Sequence, residues 1–66
     1  MTDFDVYEAA EELIAEYGLL ACAYVTMEAD ELLEDGDVAG YELWKRVFFA
    51  IGEVLATRRP EGATLH

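Results

Sequence analysis

The sequence predicts an all-α protein of three helices built on an αα-hairpin, with boundaries near 3–17, 19–34 and 38–58. Three observations carry that expectation. Apolar residues recur at intervals of three and four through three segments, which is the repeat of one helix face. The junction Glu34-Asp35-Gly36-Asp37-Val38-Ala39-Gly40 reads as a helix stop followed at once by a helix start. No stretch alternates polar and apolar residues as a half-buried strand does. Residues 1–59 therefore form a single helical domain in this reading, and residues 60–66 a flexible, disordered tail.

In the first segment Val6, Ala10, Leu13, Ile14 and Tyr17 share a face, while Glu8, Glu11, Glu12 and Glu16 fill the other side. Thr2 or Asp3 caps its start, because a side-chain oxygen there satisfies an orphan N–H. Gly18 suits the position just past a helix end, where a left-handed conformation is needed. The alternative is that Gly18 is tolerated within a helix, fusing the first two segments into one. The second segment turns Cys22, Val25, Ala29, Leu32 and Leu33 inward and Glu28, Glu31 and Glu34 outward. Gly36 stops it, and Asp37 is placed to cap the third segment. There Trp44, Val47, Phe48, Ile51, Val54 and Leu55 make the inward stripe. Gly52 sits mid-helix at a cost of ~1 kcal/mol relative to alanine, and would permit close approach of a neighbouring helix. Arg58 and Arg59 complement the negative end of the helix dipole, and Pro60 prevents continuation.

A chain of 66 residues with 55% hydrophobic content has room for one small core. Such a core rarely supplies more than ~3–5 kcal/mol, so small domains usually add a staple. Cys22 is the only cysteine, which excludes an internal disulfide, and Cys22 with His66 cannot furnish the four ligands of a structural zinc. Oligomerisation is the remaining route, and a homodimer is expected. The start of the chain has no basic region of a leader peptide, and the longest apolar run, Tyr17 to Met27, is too short to span a bilayer. A cytoplasmic location follows as the expectation.

Net charge is −11, and residues 1–44 hold thirteen acids with no Lys or Arg. A field of that sign repels nucleic-acid phosphates and anionic membranes, so neither is an expected partner. A basic protein partner is allowed, and the plain reading is a solvated, solubilising surface.

Some apolar residues fall on the wrong face. At about 100° per residue, Leu20, Tyr24 and Met27 lie opposite the inward stripe of the second segment, and Phe49 opposite that of the third. Left exposed, these four form a candidate protein interface, since contiguous exposed apolar patches mark docking sites. The competing reading has the first segment packing across Leu20 and Tyr24 and burying them internally.

Catalytic chemistry finds little support. The chain has no Ser, Asn or Gln, and no base stands near its four threonines. Cys22 lies on a core stripe, where a thiol is inert, and His66 is the last residue. Glu8, Glu11, Glu12 and Glu16 have the spacing of a solvated helix face rather than a cation site. Aligning Gly36 with the sixth position of a calcium loop puts Leu33 at the third, where an oxygen ligand is required. No catalytic, cofactor-binding or metal-binding residue is assigned, no cofactor is expected, and the chain is read as not being an enzyme.

The run Ala29-Asp30-Glu31-Leu32-Leu33-Glu34-Asp35-Gly36-Asp37-Val38-Ala39-Gly40, followed by Trp44-Lys45-Arg46 and by Pro60-Glu61-Gly62 before His66, resembles a family of short alphaproteobacterial proteins of unknown function. Their shared core is A-D-x-L-L-x-x-G-D-x-x-G-x-x-x-W-K-R. The stretch Leu19 to Val25 departs from it in being more apolar. The resemblance implies a small helical bacterial protein and brings no catalytic residue. Together these readings point to a non-enzymatic acidic helical interaction module that homodimerises. The alternative is an acidic nucleic-acid mimic or antitoxin-like inhibitor of a basic protein.

Overall fold

A computed structural model describes residues 2–57. They form α1 (Asp3–Tyr17), a single 3-10 turn (Gly18–Leu20), α2 (Ala21–Glu34) and α3 (Val38–Thr57). The expected helix end at Arg58 to Pro60 and the tail at 60–66 lie outside the described residues. No helix among them is long and apolar enough to cross a membrane.

Thr2, rather than Asp3, caps α1. Its hydroxyl oxygen accepts from the Asp5 N–H at 3.2 Å, and the Asp5 carboxylate accepts from the Thr2 N–H at 3.2 Å. This reciprocal capping box satisfies two backbone donors that the helix cannot. Asp3 sits in the first turn with Asp5, where carboxylates favour the positive end of the helix dipole.

Gly18 ends α1 with φ 60° and ψ −133°, a backbone conformation that side chains with a Cβ resist. One residue is enough to change direction, so helical structure resumes immediately in the 3-10 turn and passes into α2. No non-helical residue separates Asp3 from Glu34. Counted by uninterrupted helical stretches the described residues have two, Asp3–Glu34 and Val38–Thr57, arranged as a hairpin, and this corrects the expectation of three separate helices. The second segment also begins at Ala21, two residues later than expected, because Leu19 and Leu20 belong to the 3-10 turn.

At the hairpin the local chemistry is as the residues require. Gly36 takes φ 82°, the Gly36 N–H donates to Leu33 O at 3.1 Å, and the Asp37 N–H reaches back to Leu32 O at 2.9 Å. This pair of bonds is a Schellman closure, which consumes carbonyls that would otherwise be orphaned. Asp37 then starts α3, its Oδ1 accepting from the Gly40 N–H at 2.9 Å.

α3 is the central helix. It packs against both α1 and α2, which contact each other much less. The core is built from small side chains: Val6 and Ala10 of α1, Ala21 and Val25 of α2, and Val47, Ala50 and Ile51 of α3. Small residues let helix axes approach closely. The larger Leu13, Ile14, Trp44, Phe48 and Leu55 pack around this centre, half-buried. The expected stripe of α3 is therefore the packed one, and so is that of α1 except for Tyr17, which lies at the helix end and is 38% exposed. On α2, Val25 and Ala29 are buried and Cys22 and Leu32 half-buried, but Leu33 is 48% exposed. Adjacent residues on a helix point about 100° apart, so Leu32 and Leu33 cannot both face α3. Leu32 takes that contact, its methyl lying against Gly40.

Candidate protein-docking face

Phe48 and Phe49 show how one helix serves two surfaces. Their rings meet edge to face at 5.7 Å, but Phe48 turns toward the core while Phe49 is 61% exposed. Phe49 borders a groove on each side. The first, of about 280 Å³, lies between α2 and α3 and is lined by Val25, Ala29, Tyr41, Trp44, Phe48 and Phe49, with Thr26, Asp30 and Lys45 as its polar members. The second, of about 230 Å³, lies between α1 and α3 and is lined by Val6, Tyr7, Phe49 and Ala50, with Asp3, Arg46 and Glu53 around them.

The polar groups are tied to the scaffold. Arg46 donates to Asp3 at 2.8 Å, Thr26 donates to the Cys22 carbonyl at 2.9 Å, and the Lys45 ammonium lies 5.5 Å from the centre of the Tyr41 ring. The Tyr7 hydroxyl donates to the Glu53 carboxylate. That bond holds the phenol in its neutral form and raises its pKa above the usual tyrosine value, with partial desolvation adding to the effect. Tyr24 is raised as well, first by the neighbouring Glu28 carboxylate and then by desolvation.

Of the four expected interface residues, Leu20 (69%), Met27 (53%) and Phe49 are exposed. Tyr24 is not on an open face. It is half-buried, stacked on Tyr17 at 4.6 Å and edge-on to Trp44 at 6.2 Å. Tyr17 of α1 supplies the cover that the competing reading required, although Leu20 stays open. Leu20 belongs to the 3-10 turn, so the α-helical angle that placed it beside Tyr24 does not apply there. Neither groove is lined by Leu20, Tyr24 or Met27; of the four, Phe49 alone borders them. Tyr41, Lys45 and Phe48 were missed as surface-forming residues. Their spacing of four and three from one another was the available signal.

No buried side-chain polar atom among the described residues lacks a partner. Nor does any group of three or more His, Cys, Asp or Glu side chains among them come close enough to hold a metal ion. No protein-family model matches the chain, and no curated protein or solved structure shows significant similarity to it.

Proposed function

We propose that this chain is a non-enzymatic, acidic helical protein-interaction module that acts in the cytoplasm as a homodimer joined through the face around Phe49. The observation that carries the reading is an exposed phenylalanine with a mainly apolar groove on one side and a groove edged by Asp3, Arg46 and Glu53 on the other. A two-fold dimer uses the same patch on both subunits, and such a patch needs both a projecting group and a recess to receive it. Burying one phenylalanine side chain is worth ~1.5–3 kcal/mol, a useful addition to a core that contributes only a few. Light scattering after size exclusion tests the proposal. Wild type should have twice the chain mass and Phe49→Glu the mass of one chain, whereas a single-chain mass for both defeats it.

The second reading, an acidic mimic or antitoxin-like inhibitor of a basic protein, is favoured by the exposed row Glu8, Glu11, Glu12 and Glu16 on α1. Capture of a basic nucleic-acid-handling protein should then weaken steeply with added salt. Complexes that persist at high salt would count against it. The similarity to the short alphaproteobacterial helical proteins belongs to this same proposal and is compatible with either reading.

A further inference from the structure

We infer that in the homodimer α3 lies antiparallel to α3 of a second copy, with the two-fold axis passing beside Phe49. This rests on the homodimer reading above and adds the orientation and the charge contacts that set it. The exposed positions of α3 include Val38, Glu42, Lys45, Phe49, Gly52 and Ala56, spaced by four, three, four, three and four. That is the spacing of a seam between two helices. It is left without a partner by a fold in which α1 and α2 cover the other sides of α3.

The charges on and beside this seam are complementary to themselves in one orientation, with Arg46 and Glu53 each also holding a partner, Asp3 and Tyr7, within the subunit. Lys45 and Arg46, the only Lys or Arg among the described residues, lie one turn before Phe49, and Glu53 lies one turn after it. A two-fold axis beside Phe49 brings the cations of each copy level with Glu53 of the other, twice per dimer. Parallel pairing would instead set Lys45 against Lys45 and Glu53 against Glu53. Charges flanking a helix seam choose orientation in this way. Gly52 also leaves open space beside the axis, with no atom outside its own helix backbone and chain neighbours within 4 Å of where its Cβ would lie, so the Lys45 chain of the second copy has room to pass.

Sedimentation velocity on charge-reversed variants tests the orientation. Lys45→Glu and Glu53→Lys should each weaken the dimer by roughly tenfold or more, since two exposed pairs turn from attractive to repulsive. The double variant Lys45→Glu/Glu53→Lys should recover most of the affinity. An equimolar mixture of the two single variants should form a mixed dimer, which also shows that both are folded. General repulsion between acidic chains predicts something different: Lys45→Glu weakens the dimer and Glu53→Lys strengthens it. That pattern, or a double variant as weak as the singles, overturns the antiparallel pairing while leaving the homodimer standing. A single-chain mass for wild type at every concentration removes both.

Discussion

At Gly40 an added Cβ would lie 2.7 Å from Asp37 Oδ2 and 3.1 Å from a Leu32 methyl. The first of these is the carboxylate that caps α3 through the Gly40 N–H, so it cannot swing away without breaking the cap. Gly40→Ala should therefore destabilise the protein by about 1 kcal/mol, the usual worth of an N-cap, although alanine is the better helix former. Because both changes remove the same bond, Gly40→Ala and Asp37→Ala should be clearly less than additive. Gly52 is the opposite case. Apart from its own helix backbone no atom of the described residues stands within 4 Å of its Cβ position, and in the single-chain Phe49→Glu background Gly52→Ala should stabilise by about 0.5–1 kcal/mol through helix propensity alone. Urea unfolding at equal subunit concentration measures all three, and a stabilising Gly40→Ala would refute the capping argument.

The attachment of α1 to α3 combines a small apolar contact with two polar ties at its edge. The Arg46–Asp3 pair has side chains 51% and 86% exposed. Solvent screening limits such a pair to about 0–1 kcal/mol, so Asp3→Ala should change stability within that range. The Tyr7–Glu53 bond gives a pH signature instead. Tyr7 has a higher pKa in the folded chain than the value of about 10 it has when unfolded. Its contribution is therefore complete below that value and is lost as pH rises through the folded-state pKa. Thermal unfolding of wild type and Tyr7→Phe should differ near neutral pH and converge in strong alkali. A gap that stays constant across the alkaline range would show that the hydroxyl bond contributes nothing.

For the assembled protein, the small side chains of the core have an energetic consequence. Ile51 and Val25 are the largest fully buried side chains, and much of the remaining core is alanine. Ile51 also belongs to the cluster in which all three α-helices meet. Ile51→Ala should cost about 2–5 kcal/mol, comparable with the few that so small a domain has in total. Far-UV circular dichroism should accordingly show this variant largely unfolded at low concentration. If the chain dimerises as proposed, raising the concentration should recover helix by mass action. Full helical signal at all concentrations would mean that stability resides elsewhere. The aromatic residues surround the core rather than fill it, so the apolar area of Trp44, Phe48 and Phe49 is available along the grooves.

A cap at Thr2 or Asp3, a change of course at Gly18, the closure at Gly36 and the start at Asp37 could all be read from the residues before any coordinates. Each depends on backbone groups within about four positions of the residue that satisfies them. The inward stripes of α1 and α3 were readable for a related reason, since a helix repeats its faces at a known angle. The residues left two alternatives open and missed a third point: Gly18 bends the helical stretch without leaving a gap, Tyr17 covers Tyr24, and of Leu20, Met27 and Phe49 only Phe49 borders the grooves. Periodicity says which residues lie on the same side of one helix, but the neighbour on that side arrives from a distant part of the chain. Its position follows from how all the helices pack at once, and that packing leaves Phe49 between two grooves.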